Sequence, residues 1–238
     1  MSSAQLLFED DFTSYDDVTW DIARAPLGDG TFWEWAEPRA EVRVAGGEFS
    51  LKVEKYTRMN DVIQIFDNPK HLFLADRRFK LKQGVITRFS INMSADRFNS
   101  KTDDWREGFA SFNVLDFNSA MVFDWIATDR EFLSIYERLF VPGQTTTNEA
   151  FTEVKPHGRG GPEMFRRAEI EIFGLGESVR WLLDGEEVRR EDGIPANVDE
   201  VQVGLGLITL TPIENGRSVS CQGQGGLGRW RELRVTQG

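Results

Sequence analysis

The sequence is poor in cysteine and in long apolar runs. Cys221 is the one cysteine among 238 residues, so no disulfide can form within the chain. A chain of this length buries enough surface to fold without disulfide or metal staples. The longest apolar stretch, residues 203–210, contains two glycines and is far too short to span a bilayer. We therefore expect neither a membrane-spanning protein nor a small disulfide-rich one.

The beginning of the sequence also lacks the features of a secretory signal. Residues 1–12 have no basic segment, no apolar core and no small-residue cleavage site. Glu9, Asp10 and Asp11 occur where a signal peptide is still apolar. A cytoplasmic location is the expectation that follows.

Basic charge and histidine are scarce as well. With 28 basic against 39 acidic residues, the net charge of −11 repels nucleic acid and anionic membranes at long range, so we expect neither as a partner. Arg189 and Arg190 stand among glutamates and are interpreted as solvated strand ends. His71 precedes a strand and is predicted to lie at the surface. With no cysteine near either histidine, no metal ion or other cofactor is expected.

What recurs along the chain is a short segment of alternating apolar and polar residues that ends in a turn. In residues 42–53, alternation continues on both sides of Gly46-Gly47, which predicts a β-hairpin. Residues 179–190 predict a second hairpin that turns at Asp184-Gly185. About ten such strands are spaced as in a β-sandwich, and no segment has the 3.6-residue period of a long helix. The fold class predicted is all-β.

The order of these segments resembles the concanavalin A-like superfamily, and in particular the laminarinase-like β-glucanases. Residues 8–12 (FEDDF) with Trp20 resemble the opening strand of those enzymes. Residues 42–53 resemble the second hairpin of those enzymes, and residues 84–91 (GVITRFSI) resemble the first strand of their concave sheet. Residues 166–188 resemble one of their late hairpins. The resemblance implies a two-sheet antiparallel jelly-roll sandwich.

Three further stretches resemble an uncharacterised family of single-domain bacterial and fungal proteins. They are residues 109–125, 135–139 (IYERL) and 220–230. This second resemblance implies no function. Since no linker or repeat divides the sequence, residues 1–238 are predicted to form one jelly-roll sandwich domain.

The resemblance to the glucanases breaks down at their catalytic strand. That strand has the form E-x-D-x-x-E, and retaining hydrolysis needs two such acids about 5 Å apart. Here the corresponding strand, residues 119–127, holds Asp124 as its one carboxylate, and Ala120, Met121 and Val122 occupy the flanking positions. A glucanase mechanism is therefore not expected.

The segment from Asp116 to Arg138 is the strongest candidate for a reactive site. On its second strand Tyr136 and Arg138 share a face, which is predicted to line the concave surface together with Asp124. There a tyrosine could donate a proton, an arginine could hold an anionic oxygen, and Asp124 could act as a base. The alternative is an ordinary cross-strand charge pair with sheet aromatics around it.

Glu137 lies on the opposite face from Tyr136 and Arg138. If those two residues face the groove, Glu137 points into the core, where a carboxylate must be paired or must have a raised pKa. It is then a structural partner of Arg88 or Arg138. In the alternative, the two faces are reversed and Glu137 is itself catalytic.

Aromatic residues and a histidine complete the candidate site. Trp33 and Trp35 alternate, so both indoles could stack on a sugar ring or a planar substrate, or could instead cap the end of the sandwich. Trp125 and Arg88 are predicted to contact substrate. His157 occurs in a Gly-rich segment interpreted as a long loop, where it could be a mobile acid or base, or simply a surface residue.

Two classes of function follow. The first is a cofactor-independent intracellular enzyme, a cyclase, isomerase or lyase, that acts on a small or medium organic molecule through Asp124, Tyr136, Arg138 and neighbouring groups. The second is a glycan-binding or glycan-cleaving module, which the resemblance favours. The absent carboxylate pair gives preference to the first.

Overall fold

A computed structural model describes residues 4–14, 19–26, 30–59, 61, 70–141 and 143–238. Within them the first strands are β1 (Gln5–Asp10), β2 (Trp20–Ile22), β3 (Arg24–Pro26), β4 (Phe32–Glu34), β5 (Ala40–Ala45), β6 (Glu48–Val53), β7 (His71–Lys80) and β8 (Ile86–Phe98). After a single 3-10 turn at Trp105–Glu107 come β9 (Phe109–Asp116), β10 (Met121–Ala127), β11 (Glu131–Arg138), β12 (Phe151–Arg159) and β13 (Arg166–Phe173). The last are β14 (Ser178–Leu183), β15 (Glu186–Asp192), β16 (Glu200–Ile208) and β17 (Gly225–Gln237).

The strands form two large antiparallel sheets and one small one. An eight-stranded sheet has the order β15-β14-β13-β8-β17-β6-β5, and β1 also pairs with β17. A seven-stranded sheet has the order β12-β11-β10-β9-β16-β7-β2, and β3 pairs with β4 alone. The predicted two-sheet jelly-roll sandwich is confirmed. In the described part of the chain, no helix has the length and apolar character needed to cross a membrane.

Both predicted hairpins form where the alternation placed them. β5 and β6 join through Gly46 and Gly47, which have φ angles of 63° and 80° that a side chain would disfavour. β14 and β15 join through Asp184-Gly185, and both of these residues also have positive φ. The turn chemistry therefore fixes the register of each hairpin, and with it the side chains that face inward.

The main core lies between the two sheets and is rich in aromatic residues. Trp125, Trp181 and Trp230 are fully buried there. Trp125 Nε1 donates to the carbonyl of Glu169 across the sandwich at 2.8 Å, and Trp181 Nε1 donates back to the carbonyl of Asp124 at 3.1 Å. These two hydrogen bonds join the sheets in both directions. The two hydrogen bonds fix the position of one sheet relative to the other at β10 of the seven-stranded sheet.

The eight-stranded sheet has an outer face of paired charges. Alternation along β13 predicts that Glu169 and Glu171 point away from the core, and they do, but both are buried under arginine side chains. Glu171 is held by Arg88 and Arg180. Because β8 carries Arg88 to this sheet, where it pairs with Glu171, the prediction that Arg88 pairs with Glu137 is wrong, and its contact with substrate stays a prediction.

Candidate functional site

A second apolar cluster covers the outer face of the seven-stranded sheet. On β10 the side chains of Phe123 and Trp125 belong to the inter-sheet core, whereas Ile126 belongs to the outer cluster together with Leu133 and Ile135 of β11. Successive strand side chains point to opposite faces, so Asp124 and Glu137 also lie on this outer face. The outer face is therefore apolar around two carboxyl groups.

Asp124 and Glu137 are diagonal neighbours on adjacent strands. In the β10–β11 register Val122 pairs with Glu137 and Asp124 pairs with Ile135, so the two acids are offset by two residues. Such diagonal positions are about 7–8 Å apart, within mutual reach of the side chains. The exposed fractions are only 5% for Asp124 and 7% for Glu137. Each acid thus lies in a water-poor environment beside another acid.

This environment changes the protonation of both groups. Burial raises the pKa of Glu137 to about 7, while a hydrogen bond from the Thr152 hydroxyl at 2.5 Å acts in the opposite direction. Burial, and then repulsion from Glu137, raise the pKa of Asp124 well above its ordinary value. One oxygen of Asp124, Oδ1, is buried without a hydrogen-bond partner. Burial therefore favours the protonated form of both carboxyl groups relative to exposed ones.

A carboxyl pair in this state has the parts of general acid–base catalysis. The protonated member can donate to a leaving-group oxygen, and the ionised member can act as base or nucleophile. An unpaired buried oxygen such as Asp124 Oδ1 costs free energy until a partner supplies a hydrogen bond. The arrangement can thus transfer protons and bind a donor that approaches this face.

Tyr136 and Arg138 do not share the face of Asp124, which corrects the sequence interpretation. Tyr136 points between the sheets, where its ring lies 6.1 Å from that of Trp181. Arg138 donates to the carbonyl of Ser119 at 3.2 Å and forms an ion pair with Glu149. The faces of β11 are thus reversed relative to the preferred assignment. This is the arrangement in which Glu137 lies beside Asp124.

His157 and Trp125 are likewise in structural rather than surface positions. His157 lies on β12, not in a loop, and its Nε2 is 2.8 Å from the hydroxyl of Ser134. Burial, with the charges of Arg189 and Lys155, lowers its pKa. Trp125 is fully enclosed in the core, so the prediction that it contacts substrate is wrong.

Arg189 was expected at a solvated strand end and is instead buried. Its side chain is 1% exposed and crosses from β15 to the seven-stranded sheet, where it pairs with Glu153 of β12 at 3.0 Å. It also lies 5.0 Å from the ring of Trp181 and donates to Ser134. The sequence did not reveal that Arg189 is buried, because two adjacent arginines among charged residues look the same whether one of them is buried or both are exposed.

Trp33 and Trp35 lie beyond the edge strand β2. The carbonyl of Trp35 accepts from Leu72 N at 3.0 Å, and Trp35 N donates to the carbonyl of Ala23 at 3.0 Å. Trp35 packs on the outer apolar cluster, and Trp33 lies beneath the guanidinium of Arg58 at 4.3 Å. Both indoles are half-buried. They therefore extend the outer face that carries Asp124.

Two residues near these tryptophans were missed or misplaced by sequence reasoning. Glu37 is buried, and its backbone N–H donates to Nδ1 of His71 at 3.1 Å. His71 is itself buried, contrary to the predicted surface position, and burial lowers its pKa to about 4. Glu37 has no distinguishing pattern around it in the sequence. Among the described residues, no three His, Cys, Asp or Glu side chains are grouped so that they could hold a metal ion.

Comparison with known proteins gives a family and a fold. Residues 9–238 match the sequence model of a family described as "Family of unknown function (DUF6081)". No curated protein matches the sequence.

Solved structures with the same fold are glycan-acting enzymes at low sequence identity. An endo-1,3-beta-glucanase from Streptomyces sioyaensis is 13% identical, with a TM-score of 0.60 over 100% of this chain and 97% of that one. A prokaryotic beta-1,3-1,4-glucanase (lichenase) from a mouse hindgut metagenome is 12% identical, with a TM-score of 0.61 over 96% and 97%. The Crh5 transglycosylase in complex with NAG is 15% identical, with a TM-score of 0.60 over 96% and 82%.

These similarities overturn the preferred functional expectation. A cyclase, isomerase or lyase for small organic molecules was expected, yet the similar structures are glucanases and a transglycosylase. The strand of Asp124 carries no second acid, but Glu137 lies diagonally beside Asp124 on the neighbouring strand.

Proposed function

We propose that this chain, which belongs to the DUF6081 family of unknown function, acts on glycans at the outer face of its seven-stranded sheet. The observation that carries the proposal is the Asp124–Glu137 pair, placed on one face of a sandwich that glycan-cleaving enzymes also use. Glycoside cleavage needs a protonated and an ionised carboxyl group on the same site. A buried, mutually repelling pair supplies that combination near neutral pH.

In this mechanism Asp124 is the proton donor. Burial and repulsion from Glu137 raise its pKa, so Asp124 keeps its proton when Glu137 is ionised. Glu137, which has a pKa of about 7 and accepts a hydrogen bond from the Thr152 hydroxyl, is the base or nucleophile. Protonation of Glu137 below neutral pH removes the base, so we expect activity to fall on the acidic side.

The test is incubation of the full chain with mixed-linkage glucan, laminarin, galactans and chitooligosaccharides, followed by chromatography of the products. Asp124→Asn and Glu137→Gln each remove one titrating group and should lower turnover by about 10²–10⁴-fold. Glu187→Gln, an exposed carboxylate on the other sheet, is the matched control and should leave turnover unchanged. Products that persist in both site variants would refute the assignment.

A second candidate is glycan binding without cleavage. It is favoured by Val122 and Ile126, which occupy the outer-face positions on either side of Asp124 and carry no acid. In that case the same panel gives retention on a glycan affinity gel but no products. The absence of both binding and products would overturn both candidates.

A further inference from the structure

The outer face continues past β2 to a group of residues around Glu37. We call this the Glu37 cluster and define it as Trp33, Trp35, Glu37, Arg58 and His71. Trp35 packs on the same apolar cluster as Ile126, so the group is continuous with the surface around Asp124. Three strand spacings separate β10 from β7, and four separate it from β2. At about 4.8 Å each, that is roughly 14–19 Å, a span of several sugar rings.

Glu37 is the centre of this cluster, and both of its carboxylate oxygens already accept hydrogen bonds from the protein. Its Oε1 accepts from the backbone N–H of Thr57 at 2.7 Å and of Arg58 at 2.8 Å. Its Oε2 accepts from the Thr57 hydroxyl at 2.6 Å. The carboxylate therefore fixes the backbone that presents Arg58.

The other polar atoms of the cluster are donors without partners. Nε1 of Trp33, Nε1 of Trp35, Nε of Arg58 and Nε2 of His71 are all buried and unpaired. Because Nδ1 of His71 accepts from Glu37, a neutral ring must carry its proton on Nε2, which makes that atom a donor. An unpaired buried donor destabilises the folded protein until an acceptor supplies a hydrogen bond. The four donors of the Glu37 cluster therefore favour a ligand that is rich in acceptors.

Arg58 adds a positive charge that is held in place. Its guanidinium lies over the ring of Trp33, 4.3 Å from the ring centroid, and forms no ion pair in the described part of the chain. Phe32 and Met59, the sequence neighbours of Trp33 and Arg58, are 61% and 48% exposed, so this end of the molecule is accessible to a ligand.

We propose that the Glu37 cluster binds an acidic sugar, a uronate or a sulfated residue, of the glycan chain that crosses the outer face. This inference rests on the proposed function. Sugar hydroxyls need acceptors as well as donors, whereas carboxylate and sulfate oxygens only accept. The cluster offers unpaired donors and a cation, and its carboxylate is already occupied. Arg58, held on the ring of Trp33, binds the anionic group.

The test is calorimetric titration of the full chain with matched oligosaccharides. One ligand is a glucuronate-containing oligosaccharide, the second is its carboxyl-reduced neutral form, and the third is a sulfated oligosaccharide. We expect at least one charged ligand to bind ten-fold or more tightly than the neutral form. Arg58→Gln should remove that preference, and Trp33→Phe, which keeps a ring but loses the indole N–H, should reduce it.

The control is Arg43→Gln, which removes an exposed arginine from β5 in the other sheet and should leave affinity unchanged. Melting temperatures verify that each variant is folded, and Arg58→Lys tests whether charge without the planar guanidinium suffices. Equal affinity for neutral and charged ligands, unaffected by Arg58→Gln, overturns this inference alone. No binding of any of the three glycans overturns the proposed function with it.

Discussion

The Glu137→Gln variant should be more stable than the wild-type protein, and the difference in the free energy of unfolding should grow as the pH rises. An unfolded glutamate titrates near 4.5, whereas burial moves the pKa of Glu137 to about 7 in the folded chain. Between these values the folded state binds more protons than the unfolded state, so the free energy of unfolding falls as pH increases. The full shift corresponds to a loss of about 3 kcal/mol by pH 8.

Glutamine stays neutral throughout this range, and its amide oxygen can still accept from Thr152. The stability advantage of Glu137→Gln over the wild type should therefore be below about 1 kcal/mol at pH 5 and reach about 3 kcal/mol at pH 8. For a chain of this size that is roughly 6–12 °C in melting temperature. Urea unfolding of both proteins at pH 5, 6, 7 and 8 measures the difference directly.

The control for this experiment is Glu187→Gln. Its exposed carboxylate should give an offset that does not grow with pH. If the wild-type and Glu137→Gln profiles run parallel from pH 5 to 8, burial does not raise the pKa of Glu137, and its assignment as the base that ionises near neutral pH fails as well. A gain in stability together with a loss of turnover would instead fit a catalytic group that is held in a destabilised state.

The remaining predictions concern the contacts between the two sheets. Arg189→Met should lower the free energy of unfolding by about 2–4 kcal/mol, because it removes a buried cation from Trp181 and leaves Glu153 without its ion-pair partner. Arg190→Met, whose ion pair is exposed, should change it by less than about 1 kcal/mol, and similar losses in urea unfolding would contradict the burial of Arg189. Trp125→Phe should cost about 1–3 kcal/mol, because it leaves the buried carbonyl of Glu169 without its donor. Thermal unfolding at pH 7 checks this, and an unchanged melting temperature would show that the cross-sheet hydrogen bond contributes little.

The sequence predicted the sandwich because period-2 alternation and glycine turns are local signals. The hairpin at Gly46-Gly47 and the inward side chains of β13 required only neighbouring residues to identify. The position of His157 was wrong because the Gly-rich residues around it also fit a loop. β12 is an edge strand, and its pairing with β11 involves residues that a local pattern does not reveal.

The candidate site was harder to predict because its residues belong to different strands. Alternation correctly separated Tyr136 from Glu137, but it could not decide which of the two faced the other sheet. That choice depends on the partner strand: Phe123 stacks on Tyr136 in the core, which sends Glu137 outward beside Asp124. Glu37 and Arg58 meet only through tertiary structure.

The central position of β17 has a consequence for how the protein is made. It is the last strand of this sequence, yet it pairs with β8 over most of its length, with β6 on the other side, and with β1. While a ribosome is still adding residues 225–237, the two halves of the eight-stranded sheet have no strand to join them. Their edges and the apolar surface beneath are then open to other chains. Until residues 225–237 are available, these open edges should therefore make the chain prone to associate with other chains.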